Sequence, residues 1–196
     1  DLVNNVIYDW GTQSANGNPR SLNIVNNWYR WGPMGMSRAM FKPQTVIADP
    51  VLYPDAVYLS GNVADGFTPT TLTGSKYATS LRCGELSVPA DSADAAWSTV
   101  MAGVGATMPV RDEVDQRVVD EVLTRTGGFF NGDGLAPPNP YWPALATGLA
   151  PVDTDVDGMP DAWELASFAS LDRDGRGDFD GGGYTDLEAY MNVLAP

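Results

Sequence analysis

The sequence predicts a mainly β chain: a short solenoid of stacked strands, then a helical segment, then a small acidic metal-binding tail. Three observations carry that reading. The pattern LVNNVIYDWG (Leu2 to Gly11) recurs as IVNNWYRWG (Ile24 to Gly32), which puts Asn5 and Asn27 22 residues apart. Two later stretches, AAWSTVMAGVG and RDEVDQRVVDEVLTRTG, space their apolar residues as a helix does. Finally, DTDVDGMPDAWE (Asp153 to Glu164) gathers five carboxylates around one glycine within twelve residues. The boundaries drawn from these are 1–67 for the stacked coils, 68–150 for an extension with two helices, and 151–196 for the tail.

The strands come first. The runs are β-branched and aromatic, and Gly, Asn and Pro break them, as expected of short strands. A fainter third copy is VYLSGNVADG (Val57 to Gly66). Repetition at this period indicates a solenoid in which each coil buries its inner face against the next. Paired asparagines at equivalent points suit stacked turns whose side-chain amides bond coil to coil. An ordinary β-meander with two chance Asn-Asn pairs is the alternative.

In the helical segment, Asp94 or Ser92 can cap the first helix, with Trp97, Val100, Met101 and Val104 on one face. The second carries Val114, Val118 and Val122 in a stripe, with Glu113–Arg117 and Glu121–Arg125 as pairs four apart and Gly127 as its stop. These are packing and solvated faces. Residues 131–150, rich in Gly, Pro and aromatics, read as an extended strap.

The tail carries the clearest chemistry. Asp153, Asp155, Asp157, Gly158, Met159, Asp161 and Glu164 occupy positions 1, 3, 5, 6, 7, 9 and 12 of the EF-hand loop pattern. Alternating aspartates aim oxygens into one concavity and Gly158 permits the sharp turn. The Met159 carbonyl adds an oxygen, and Glu164 can close the shell with two more. All-oxygen ligation suits Ca2+ rather than a transition metal; a solvated acidic linker is the alternative. A weaker copy, DRDGRGDFDGGGYTDLEAY, places Asp178, Asp180 and Asp186 at positions 1, 3 and 9. Gly182 and Ala189 fall at positions 5 and 12, so completion needs Glu188, Asp172 or Asp174, and an acidic turn without metal fits equally. Each loop runs into a short apolar helix.

Composition narrows the function. The 196 residues are 43% hydrophobic and 18% charged, which is ordinary for a globular chain. With no histidine, serine–histidine and cysteine–histidine catalysis are closed to these residues alone. One cysteine, Cys83, leaves no intrachain disulfide. No apolar run nears the roughly 18 residues of a membrane span. The net charge is −14, and residues 151–196 hold −9 of it, eleven acids against Arg173 and Arg176. So acidic a protein makes a poor nucleic-acid ligand. Residues 1–45 run the other way, with Arg20, Arg30, Arg38 and Lys42 against Asp1 and Asp9.

Taken in order, NNVIYDWG, IVNNWYRWGP, GATMPVRDEVDQRVVDEV, WPALATG, DTDVDGMPDAWE and GGGYTDLEAYMN closely resemble secreted bacterial pectate lyases of polysaccharide lyase family one. The resemblance covers both ends of the chain and leaves residues 68–92 thinly matched. It implies the terminal coils of a right-handed parallel β-helix, a helical extension and an EF-hand-like calcium tail. It also implies a secreted, calcium-dependent lyase that cleaves pectate-like acidic polysaccharide by β-elimination. In that family calcium binds uronate carboxylates and an arginine takes the C5 proton. That arginine precedes the first NNxxY coil, so its place lies upstream of Asp1 and no catalytic residue is assigned here. Arg20, in GNPRSLN, sits one coil too late for that role. Arg20 and Arg30 stand as candidate contacts to an anionic sugar chain, against salt-bridging or solvated roles. The alternative function is a non-catalytic structural or adhesive module.

One expectation concerns assembly. A chain starting at Asp1 leaves the coil of Val3 to Trp10 uncovered, with unpaired main-chain groups. Missing upstream coils or another chain should cap it, and a head-to-tail contact of that kind can propagate into a filament.

Overall fold

The computed structural model describes residues 1–17, 20–43, 56–70, 77–107, 110–128, 144 and 148–194. Asn18, Pro19 and most of the expected strap over 131–150 lie outside them.

Every strand ladder among the described residues is parallel. The strands are β1 (Leu2–Val3), β2 (Val6–Tyr8), β3 (Asn16–Gly17), β4 (Ser21–Val25), β5 (Trp28–Arg30), β6 (Lys42–Pro43), β7 (Ala56–Ser60), β8 (Val63–Asp65) and β9 (Ala78–Thr79). They form three sheets, ordered β1-β4-β7-β9, β2-β5-β8 and β3-β6. The chain therefore visits the first sheet, then the second, then the third, and returns to the first one layer on. Leu2 pairs with Ile24 and Val6 with Trp28, the 22-residue spacing of the repeat. The third copy joins in register, Ile24 with Leu59 and Trp28 with Val63. β9 adds a fourth layer in a region where the sequence reading marked no strand.

The corner between the first two sheets explains the asparagines. Asn4 and Asn26 take left-handed φ values of 57° and 54°, a conformation that costs most L-residues about 1–2 kcal/mol and that asparagine tolerates. In the third layer the position is Gly61, φ 64°, where an added Cβ would lie 1.8 Å from the Asn26 Oδ1. The next residue, Asn5, Asn27 or Asn62, turns inward and builds a ladder. The Asn5 Nδ2 donates to the Asn27 Oδ1 at 2.9 Å, and the Asn27 Nδ2 to the Asn62 Oδ1 at 2.9 Å. The backbone N–H of each also donates to the next amide oxygen, at 2.9 and 3.0 Å.

Apolar rows fill the interior. Ile24, Tyr29 and Val57 are fully buried, Met40 and Phe41 nearly so, and Leu2, Ile7, Leu22, Leu59 and Ala64 pack against them. Trp10 meets Tyr29, Trp31 and Phe67 edge-on at one end.

One helix packs on the second sheet, and another is tied to that sheet at its C-terminal end. α1 (Ala93–Gly103) is capped by Ser92, whose hydroxyl accepts from the Ala95 N–H; of the two proposed caps, Ser92 is the one used. The preceding turn is tied to the corner, since Asn4 and Asn26 both donate to the Asp91 carbonyl. Trp97 of α1 stacks on Trp28 at 5.1 Å. α2 (Glu113–Thr124) is capped by Asp112 and ends at Arg125 in the left-handed region, two residues before the glycine expected to stop it. Its buried residues are Val119 and Val122, while Val118 of the expected stripe is exposed. Two more helices, α3 (Asp161–Phe168) and α4 (Asp186–Leu194), lie in the tail.

Candidate metal centre

The tail builds its site on a turn followed by a helix. No helix precedes the loop among the described residues 148–152, so the helix–loop–helix of an EF-hand is not formed; the loop has only its exit helix, α3. Gly158 turns the chain at φ 98°, where a side chain is disfavoured. The N–H groups of Val156 and Gly158 donate to the two oxygens of Asp153 at 2.8 and 3.0 Å. The Met159 N–H donates to the Asp157 Oδ1 at 2.9 Å, and Met159 is fully buried. Asp161 starts α3, and its two oxygens accept the Thr154 N–H and hydroxyl, each at 2.7 Å.

These bonds leave three buried carboxylate oxygens without donors, one on Asp157 and two on Glu164. Asp153, Asp155 and Asp157 bring carboxylate oxygens within 4.8 Å of one another, a grouping found nowhere else among the described residues. Asp161 and Glu164 stand outside that grouping of three, but Glu164 on α3 is 0% exposed and neither of its oxygens meets a hydrogen-bond donor; the Asp157 Oδ2 is also buried without one. A buried carboxylate so placed is costly unless a cation or a proton joins it. Accordingly the Glu164 carboxyl is pushed above its ordinary range, by loss of hydration first and then by Asp155, Asp157, Asp161 and Asp153. Asp155 is raised for like reasons, with Asp157 and Asp153 its charged neighbours. The donor set is all oxygen, and the three orphaned oxygens come from positions 5 and 12 of the pattern, so the residues fit a hard divalent cation.

The second loop partners its carboxylates differently. Asp178 accepts the Gly182 and Gly183 N–H groups, each at 3.1 Å, and Asp180 accepts Gly182 at 2.8 Å. Glu188 is turned back on the helix start, accepting the Thr185 N–H and hydroxyl, while Thr185 accepts the Glu188 N–H. This is a capping box for α4, legible in the sequence as Thr185-x-x-Glu188; the bonds hold Glu188 below its usual range. Asp186 is buried on Arg173. Asp174 chelates Arg176, which lowers its carboxyl to about 2. A cavity of about 430 Å3 opens between the first loop, at Asp155 and Asp157, and the Asp172–Arg176 stretch.

The two candidate sugar contacts lie in the stack. Arg20 is exposed just before β4. Arg30 is mostly enclosed, at 15% exposure. It is ion-paired with Asp65, donates to the Val122 and Leu123 carbonyls at 2.7 and 2.9 Å, and lies over the Trp97 ring. Asp65 also pairs with Arg125. Spacing along the chain could not reveal this Arg30–Asp65–Arg125 cluster, because its members sit 35 and 60 residues apart.

Comparison with known proteins supports a distant pectate lyase-like relationship. The chain is 27% identical to a probable pectate lyase C of Aspergillus flavus, over an alignment of 218 residues taking in all of this chain and 48% of the relative. Against a probable pectate lyase C of Aspergillus oryzae it is 26% identical over the same extent. The chain thus spans about half the length of these relatives, and both are fungal, so neither carries the bacterial origin that the resemblance implied. No protein-family model matches the chain, and no solved structure matches it significantly. No helix among the described residues is long and apolar enough to cross a membrane.

Proposed function

We propose that this chain is the C-terminal part of a secreted, calcium-dependent pectate lyase-like protein, built on the terminal coils of a right-handed parallel β-helix. The observation that carries the reading is similarity along the whole chain to two pectate lyase C proteins, and the three parallel sheets, entered in a fixed order, agree with it. In this reading the polymer is an acidic polysaccharide of the pectate kind and the catalytic arginine lies outside these residues. Arg20 remains the more accessible candidate for touching the sugar chain.

Calcium belongs to the same proposal. Asp153, Asp155, Asp157, the Met159 carbonyl, Asp161 and Glu164 would hold it, and the buried, donor-free Glu164 is the strongest support. Bound there, the ion supplies the positive charge that lets the carboxylates stay ionised and together. The chain's own residues do the rest: Gly158 makes the turn, and Thr154 orients Asp161.

The test is to incubate the chain with polygalacturonate and calcium and follow the ultraviolet absorbance of unsaturated uronate ends. Retention of polymer without product is expected from these residues alone, with product from a longer form that supplies the catalytic arginine. Product from the chain alone would overturn the placing of catalysis outside it. Retention without product in every form would favour the second reading, a non-catalytic structural or adhesive module.

A further inference from the structure

The two acidic loops share one set of bonds donated by backbone N–H groups at equivalent positions 25 residues apart. The ninth-position N–H donates to the residue before the loop in both, Asp161 to the Val152 carbonyl at 2.9 Å and Asp186 to the Gly177 carbonyl at 2.7 Å. The first-position aspartate accepts from the sixth-position glycine in both, Gly158 to Asp153 at 3.0 Å and Gly183 to Asp178 at 3.1 Å. The ninth-position aspartate accepts the second residue's N–H in both, Thr154 to Asp161 at 2.7 Å and Phe179 to Asp186 at 2.8 Å. Both glycines are left-handed, φ 98° and 86°. The loops fold alike, so the difference between them lies in what neutralises them.

In the first, three buried carboxylate oxygens have no donor. In the second, positions 5 and 12 are Gly182 and Ala189, and Glu188 is committed to capping α4. Its most buried acid, Asp186, 4% exposed, instead accepts the Arg173 Nη2 at 2.9 Å. The guanidinium carbon lies 4.6 Å from the Phe179 ring centre and 5.2 Å from that of Phe168, so two aromatic faces hold the charge in place. Residue 173 lies outside the twelve-residue pattern.

We infer that Arg173 is the built-in cation of the second loop, so that this loop folds without metal and the tail takes one divalent ion, at the first loop. The first-loop half of the statement rests on the calcium reading above; the Arg173 half does not. The metal-free half also forms the platform for the other. A Cβ at Gly158 would come within 3.2 Å of Leu187 of α4, and one at Gly175 within 3.1 Å of the Asp157 Oδ2. The stapled loop and its helix thus abut the residues that must close on the ion.

Calcium titration calorimetry on the full chain, combined with hydrogen exchange in chelator, tests this. About one ion per chain is expected, lost in Glu164→Gln and kept in Asp180→Ala. In chelator the Phe179, Gly183 and Asp186 amides should stay protected while those of Val156 and Gly158 exchange. Arg173→Gln should remove the second-loop protection with or without calcium, and Arg173→Lys should restore part of it. Two ions per chain, one ion that survives Glu164→Gln, or second-loop protection that requires calcium would each overturn the inference. No binding at all would sink the calcium reading and leave Arg173 to be judged by exchange. Protection kept in the native chain and lost in Arg173→Gln would then uphold its role, and protection absent from the native chain would end it.

Discussion

Asn27 is fully buried, and its carboxamide serves both neighbouring layers. It donates to the Leu2 and Val25 carbonyls and to Asn62, and accepts the N–H and side-chain amide of Asn5. Asn27→Ala strands several buried groups at once, each unmade bond costing about 1–3 kcal/mol, so a loss of about 3 kcal/mol is expected in urea unfolding. Asn5→Ala, on the outermost rung, should cost about 1 kcal/mol. A second residue sets an alkaline limit. The Tyr8 hydroxyl donates to the Thr126 carbonyl, and its ionisation is pushed up by burial first, then by Asp9 and Glu121. A raised phenol contributes stability that is whole below the ordinary value of 10.0 and is lost as pH rises through the folded value. Melting temperature above pH 10 should therefore fall more steeply in the native chain than in Tyr8→Phe. The asparagine rungs were legible because a stacked corner demands the same residue type at the same place in each turn. The third rung was fainter because Gly61 answers the left-handed requirement as well as asparagine does.

At the scale of elements, α2 is held from outside itself. Arg30 grips its last-turn carbonyls, and Asp65 pairs with both Arg30 and Arg125. Asp65→Ala would leave Arg30 a mostly buried charge without its carboxylate. About 3 kcal/mol should be lost in thermal unfolding, with faster exchange along α2, and Asp65→Asn should recover part of it. Helix positions were readable from apolar spacing and the first cap from Ser92, whereas the Asp112 cap of α2 emerged only in the structure. The buried face and the ion pairs were only partly readable. Of the two expected pairs four apart, Arg125 goes to Asp65 instead of Glu121, while Arg117 pairs with Glu121 at 3.6 Å. Local charge spacing is worth a few tenths of a kcal/mol, and a half-buried tertiary carboxylate outweighs it.

Across the whole molecule, charge and architecture are segregated. The tail holds −9 of the −14, while the sheets are built on apolar rows and asparagine rungs that involve no carboxylate cluster. Chelation should therefore loosen residues 151–194 and leave the strand signal in circular dichroism nearly unchanged. Asp157→Ala should weaken calcium binding by at least tenfold and Asp180→Ala much less, as read by calorimetry. Strand signal collapsing on chelation would contradict this division. The first loop was legible because carboxylates gathered within twelve residues must show in the spacing. The fate of the second loop was not, because Arg173 acts from outside the pattern and Glu188 had two possible employments.

The asparagine ladder has a polarity. Along it each side-chain oxygen receives from the rung nearer Asp1, and each amide offers a hydrogen to the rung farther away. At Asn5 the side-chain oxygen consequently faces away from Asn27 and suits a donor arriving in the same parallel sense. Two such rungs brought together about a two-fold axis would oppose oxygen to oxygen. The stack can be continued by translation along its own axis and not by reflection of itself, so an assembly extending the ladder would have a direction, like a thread with distinguishable ends.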